Sequence, residues 1–325
     1  MRAVLSIAIV SLFFVSGCFT PIIDFGFLGR VSPLSEVTIS GDAQAKLVML
    51  EVSGVISFKQ EGWSFGGQQP SLISRLHEAL SLAAADPDVK GLILRIRSPG
   101  GGVAASETLY HLVSDWKRET HKPVVAFFQG VAASGGYYVA MAADRVIAHP
   151  SSITGSIGVI MPGFNVSGLM ERFGVADQSL TSGAFKDSGS SLRPMREDER
   201  AQLQSVIDDL HDRFVDVVDK GRPDLDRSSV EKLSDGRIFS ARQALAVGLV
   251  DEIGHLGDAI ERARQLSGFS HAKVIAYREA GKPVNNIYSD ISSAAPAPVQ
   301  FNVLSIGANK MPAGFYYLWP MAVQY

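Results

Sequence analysis

Short apolar runs alternate with amphipathic stretches from residue 46 to about residue 150. Leu47–Val52 is a β-rich run, and Ser71–Ala85 carries apolar residues at helical spacing before the stop signal Asp86-Pro87. Gly91–Ile96 reads as the next strand, Ala105–Arg118 as a helix and Pro123–Phe128 as a third strand. A helix starts around Ser134, and Arg145–Ala148 closes the series as another strand. Strands that alternate with helices, and that are short and continuously apolar, predict an α/β domain with a mostly parallel sheet covered on its faces.

The second half is more helical. Arg196–Lys220 is amphipathic, with Leu203, Val206, Ile207, Leu210, Phe214, Val217 and Val218 along one side. Shorter helices are expected near Ser228–Leu233, Ala241–Ala246 and Gly257–Leu266, with a last strand at Ala272–Tyr277. The chain therefore divides into a leader over residues 1–17, a linker over 18–45 rich in Gly and Pro, a folded domain over 46–268, and a final strand with a tail over 269–325. The tail loses amphipathic period and is expected to be flexible. Its aromatic end, Phe315–Trp319 before Pro320, suits an extended apolar peptide lying in a groove, or a contact with a membrane.

The leader changes the picture of where the domain works. Arg2 precedes an apolar run through Gly17 that is too short to span a bilayer comfortably, as in an export signal. It ends in Val15-Ser16-Gly17-Cys18, similar to the bacterial lipoprotein box, in which the cysteine is lipidated and becomes the new N-terminus. An uncleaved N-terminal anchor is the other reading. Both put the domain outside the cytoplasm and tethered to a membrane. Cys18 is the only cysteine, so no internal disulfide forms and stability must come from packing.

Composition narrows the classes further. With 46% hydrophobic and 19% charged residues the chain can bury a substantial core. A net charge of -3 without a Lys/Arg block leaves no footprint for nucleic acid.

Three glycine-rich turns follow predicted strands: Ser98-Pro99-Gly100-Gly101-Gly102, Ala133-Ser134-Gly135-Gly136 and Thr154-Gly155-Ser156-Ile157-Gly158. Sites in open α/β sheets gather outside the carboxyl ends of the strands, so these turns are expected to converge. Ser134 is the candidate nucleophile, and Gly101 and Gly135 are candidate backbone donors to an oxyanion, each such donor being worth about 3 to 4 kcal/mol. The bland account is that glycines simply make tight turns. None of the seven histidines stands in a triad-like context, and Ala132 breaks the G-x-S-x-G pattern. Lys186, at the end of the nearly uncharged stretch Leu180–Phe185, is the candidate base if desolvated. From spacing alone it suits a solvated loop as well.

Strand-SPGG, ASGGYY, TGSIGV and SGAFKDSGS, in this order over roughly residues 46–268, resemble the S49 peptidases, the signal peptide peptidase SppA family. The resemblance implies a ClpP/crotonase-like α/β fold with repeated β-β-α units and helical additions. It implies a Ser/Lys dyad of Ser134 and Lys186, an oxyanion donor at Gly101, and a serine at Ser156 that orients the lysine. It also implies a homo-oligomeric ring in which the two dyad residues can come from adjacent chains, and hydrophobic peptides such as remnant signal peptides as substrates. No metal or organic cofactor is expected: H-E-x-x-H is absent, and a lipidated Cys18 leaves no cysteine for zinc. The competing functions are a catalytically silent ring-forming scaffold of the cell envelope and an acyl-thioester enzyme of the same fold, which export disfavours. The lipid anchor places the enzyme in a bacterial cell envelope, facing the periplasm or exterior, with inner or outer membrane left open.

Overall fold

The computed structural model describes residues 33–59, 63–64, 67–68, 70–279, 286–289 and 314–323. In chain order the elements are β1 (Leu34–Ser40), β2 (Lys46–Ser53), β3 (Trp63–Ser64), β4 (Gly67–Gln68), α1 (Leu72–Ala85), β5 (Val89–Ser98), β6 (Gly100–Gly102), α2 (Val103–Thr120), β7 (Val124–Ala133) and α3 (Gly135–Ala140). They continue with β8 (Arg145–Ala148), β9 (Ile153–Gly155), α4 (Ser167–Arg172), α5 (Glu197–Gly221), α6 (Arg227–Leu233), β10 (Ile238–Ser240), α7 (Ala241–Ala246), β11 (Glu252–Ile253), α8 (Leu256–Ser267), β12 (Lys273–Glu279) and β13 (Tyr316–Leu318). A single 3-10 turn over Pro320–Val323 ends the described chain.

The main sheet runs β1-β12-β2-β5-β7-β8-β11, with β9 pairing the end of β7 and β10 pairing β9. From β12 to β11 the neighbours are parallel, and β1 is antiparallel on its edge. The expected α/β architecture with a mostly parallel sheet is therefore the one observed, with β5-β6-α2 as a β-β-α unit.

Alternation along the central strands explains why both faces are covered. Val48, Leu50, Leu92, Leu94, Val124, Ala126 and Phe128 pack under α1, α2 and α3, while Leu47, Met49, Ile93, Val125 and Phe127 pack against Leu256, Ala259, Ile260 and Ala263 of α8. Strands buried on two sides read as continuous apolar runs, which is why these were visible in the sequence. One charged pair interrupts them. Glu51 and Arg95, opposite each other in the register, pair at 2.8 Å while Arg95 also donates to the carbonyls of Ile287 and Ser289. Both are buried, and the pairing compensates their desolvation.

Two expectations change. Part of the stretch read as linker is structured: residues 34–40 form β1, in register with β12 from Leu34 opposite Glu279 onward. Its mixed residues occupy an edge strand with one open face, so it lacks the apolar run of a buried strand. Within the tail, Phe315–Trp319 is not free but contributes β13, antiparallel to β6. Cys18 and the leader lie outside the described residues.

Candidate active site

β7 delivers Ser134. The strand turns at Gly130, whose φ is +80°, so its last residues Val131–Ala133 leave β8 and pair with β9 instead. At the strand end Ser134 adopts φ 52°, ψ −117°, a conformation that a non-glycine residue takes only at a cost of order 1–3 kcal/mol. The surroundings hold it there: its N–H donates to the Gly155 carbonyl at 2.7 Å, and its own carbonyl accepts from Tyr138 N–H at 2.8 Å. The Ser134 side chain is fully buried and its Oγ has no hydrogen-bond partner among the described residues. A buried hydroxyl without a partner forgoes stability, which fits a group reserved for chemistry.

The other glycine-rich turns close on the same place. Ile56 donates to Gly100 O at 2.9 Å and accepts from Gly102 N–H at 3.0 Å, so the N–H and C=O of Gly101 between them face the opposite edge. β6 and the start of α3 touch backbone to backbone. A Cβ on Gly100 would stand 2.6 Å from Gly135 N, and a Cβ on Gly101 would stand 1.9 Å from Ile56 O. The residue type is thus dictated by close approach, and the two candidate donors, Gly101 and Gly135, come together beside Ser134.

Ser156 follows Gly155 and is also nearly buried, at φ 51°. Its N–H donates to Arg237 O at 2.7 Å, which ties β9 to the turn before β10. Next to it a cleft of about 390 Å³ opens between Ile160, Asp208, His211 and Trp319.

Lys186 stands apart. It is exposed, in a series of turns between residues 184 and 189, and its side chain pairs with none of the described residues. Within one chain it does not reach the unpartnered Ser134 Oγ. The turns are nonetheless anchored. Arg193 pairs with Asp187 at 2.8 Å and with both oxygens of buried Glu199, whose Oε2 also accepts from Arg196 N–H at 2.8 Å. Arg193 beside it holds the Glu199 carboxyl down at about 2, and the same guanidinium lowers Asp187. Arg196 further donates to Ala184 O. Along the chain before Lys186 the apolar side chains Phe164, Leu169, Phe173, Val175, Leu180 and Phe185 are exposed, and α4 buries none of its residues.

Sequence reasoning missed Tyr138 and Phe214, whose rings pack with that of Tyr317 beside the site. Tyr138 lay in view in the ASGGYY stretch, and Phe214 in the amphipathic stripe of α5. Each was indistinguishable from ordinary core.

Peptidase family S49 matches residues 116–270. The "Putative signal peptide peptidase SppA" of Enterococcus faecium is 37% identical over 78% of this chain and 72% of that one. "Protease 4" of Haemophilus influenzae is 34% identical over 68% of this chain, and "Serine protease SPPA, chloroplastic" of Arabidopsis thaliana 30% identical over 66%. This chain spans only 35% and 32% of those two longer proteins.

Proposed function

The chain belongs to peptidase family S49 and is a serine-type peptidase, and from that premise we propose a membrane-tethered endopeptidase whose site is a Ser134/Lys186 dyad. Ser134 Oγ attacks the carbonyl carbon of an extended apolar peptide while the neutral amine of Lys186 takes its proton. The tetrahedral oxyanion is held by the N–H groups of Gly101 and Gly135. Its collapse expels the amine fragment, which takes the proton from Lys186 and leaves an acyl-enzyme. Water, deprotonated by the same lysine, then releases the acid. Ser156 orients the lysine.

The observation that carries this reading is the buried, unpartnered Oγ of Ser134 at a strained strand end beside two glycine backbones. Lys186 is exposed and stands apart from the Ser134 Oγ of its own chain, and we assign it to the site of a neighbouring copy in a homo-oligomeric ring. A second copy that covers the exposed Phe164, Phe173 and Leu180 would take these side chains out of water.

Hydrophobic peptides such as remnant signal peptides are the proposed substrates, supported by the name of the Enterococcus relative. The tether is a lipid on Cys18, in a bacterial cell envelope with the domain facing the periplasm or exterior. Among the described residues no helix is long and apolar enough to cross a membrane. Hydrolysis of a fluorogenic hydrophobic peptide by the full chain tests the reading. Loss of turnover in both Ser134→Ala and Lys186→Ala supports it, and a folded, assembled wild type inactive on several peptides counts against it in favour of a silent scaffold.

A further inference from the structure

Two hydroxyls beside the glycine-rich turns are buried and without a hydrogen-bond partner among the described residues. One is the Ser134 Oγ. The other is the Oγ of Ser106, whose side chain is 0% exposed. Ser106 is the fourth residue of α2, the helix that begins directly after the Gly100–Gly102 strand.

Neighbouring hydroxyls show what is ordinary in these surroundings. On the same helix Thr108 donates to Ala104 O and Thr120 to Trp116 O, each at 2.8 Å. Both close back on the carbonyl four residues earlier, as helical hydroxyls commonly do. Ser98, buried at the end of β5, donates to Gly54 O at 2.7 Å and accepts from Gly100 N–H at 3.1 Å. Ser106 does neither. Its oxygen lies against Gly135, where a Cβ added to that glycine would stand only 2.3 Å from it. The hydroxyl fills the space that a side chain at 135 would need, and so it faces the backbone of one of the two candidate oxyanion donors.

A buried hydroxyl that bonds nothing costs stability relative to an apolar group of the same shape. Alanine at 106 would remove that cost and suit a helix better. An orphan of this kind in a packed interior needs a reason, and its position supplies one. Having no partner to give up, the O–H is free to rotate about its own bond. The oxyanion forms at the Gly135 N–H, in a site closed to water where nearby dipoles act strongly. A hydroxyl that turns its proton toward that charge stabilises the tetrahedral intermediate and leaves bound substrate, with its uncharged carbonyl, almost unaffected.

We propose that Ser106 is a positioning residue of the oxyanion site, which seats the Gly135 backbone and turns its own O–H toward the charge as the Ser134 adduct forms. The inference rests on the reading of Gly135 as an oxyanion donor.

The test uses the full chain with Ser106→Ala and Ser106→Cys, the second keeping much of the shape of serine with a far weaker donor. Both should lower kcat on a fluorogenic hydrophobic peptide by about tenfold, less than the loss of a direct oxyanion donor, with KM nearly unchanged. A peptide boronate, which forms a tetrahedral adduct on Ser134, should bind both variants about tenfold more weakly than wild type. The same peptide with a carboxamide in place of the boronic acid should bind all three chains alike. A residue that merely packs the turn would move the two ligands together. Thermal melting of the ligand-free chains adds a readout that needs no activity: Ser106→Ala should melt at or above the wild-type temperature, because the hydroxyl it removes bonds nothing. Unchanged kcat, equal weakening of boronate and carboxamide, or a lower melting temperature overturns the proposal alone. A folded wild type that neither hydrolyses peptide nor binds the boronate fails the peptidase reading itself, and the proposal falls with it.

Discussion

The Ser134 N–H donates to the Gly155 carbonyl at 2.7 Å, and this bond sets Ser134 beside Ser156 although 21 residues intervene along the chain. It closes the ladder between the end of β7 and β9, where Ala133 faces Gly155. Both serines have positive φ, at 52° and 51°. The strain sits at the two hydroxyl-bearing residues of the candidate site, where it fixes the directions of their side chains.

Relieving that strain at Ser156 should separate stability from activity. Ser156→Gly removes the side-chain penalty of the left-handed backbone and is expected to gain up to about 1 kcal/mol, while turnover falls because the lysine loses its orienting hydroxyl. Thermal melting and peptide hydrolysis on the same preparation check both signs. A variant both more stable and fully active removes Ser156 from the mechanism.

Gly101→Ala should cost stability and catalysis together. The new methyl would stand 1.9 Å from Ile56 O, a backbone atom that cannot swing aside. Overpacking of this kind costs about 1–3 kcal/mol, and displacement of one oxyanion donor is expected to lower kcat by roughly 10²–10³. Denaturant unfolding and steady-state kinetics report the two losses.

Acid should loosen the segment around Lys186 within a defined window. Arg193 holds the Glu199 carboxyl at about 2 in the folded chain, below its ordinary value of 4.5. A carboxyl depressed on folding gives stability that is fully present above its unfolded value and is lost as pH falls through the folded one. Protease susceptibility of residues 184–196 is therefore predicted to rise between about pH 4.5 and pH 2. Glu199→Gln should show high susceptibility throughout and lose that acid step. A wild-type profile flat across the window contradicts the role of the Arg193–Glu199 pair.

Charging the exposed apolar surface should dissociate the assembly without unfolding the chain. Phe164 and Phe173 are 80% and 76% exposed, so Phe164→Asp with Phe173→Asp removes no internal packing. Light scattering coupled to gel filtration should show a smaller species with unchanged circular dichroism. An unaltered mass places the subunit contact elsewhere.

The long elements were legible because burial on two sides leaves a mark in sequence. β2, β5, β7 and β8 are runs of apolar residues, and α1, α2, α5 and α8 carry helical periodicity between stop and start signals. The short strands β6, β9, β10 and β11 were not legible, since two or three residues hold no period. β1 hid because its edge position mixes polar and apolar residues. In the site, Ser134, Gly135, Gly101 and Ser156 were marked by glycine-rich turns after strands, and the fold brings their backbones together. Phe315–Trp319 was legible as an extended apolar end suited to a groove, but nothing in it specifies pairing with a strand more than 200 residues earlier. For Lys186 the sequence left a desolvated base and a solvated loop side by side, because a small-residue stretch suits a buried turn and an open one alike, and within one chain the lysine is exposed.

The central claim is that Ser134 of one chain works with Lys186 of another. Ser134→Ala and Lys186→Ala chains, each inactive alone, are dissociated, mixed and reassembled, and hydrolysis of a fluorogenic hydrophobic peptide is measured against the mixing ratio. Shared sites predict recovered activity that peaks near equal proportions, because some interfaces then unite an intact serine with an intact lysine. Inactivity at every ratio, in rings shown by mass to contain both chains, contradicts it.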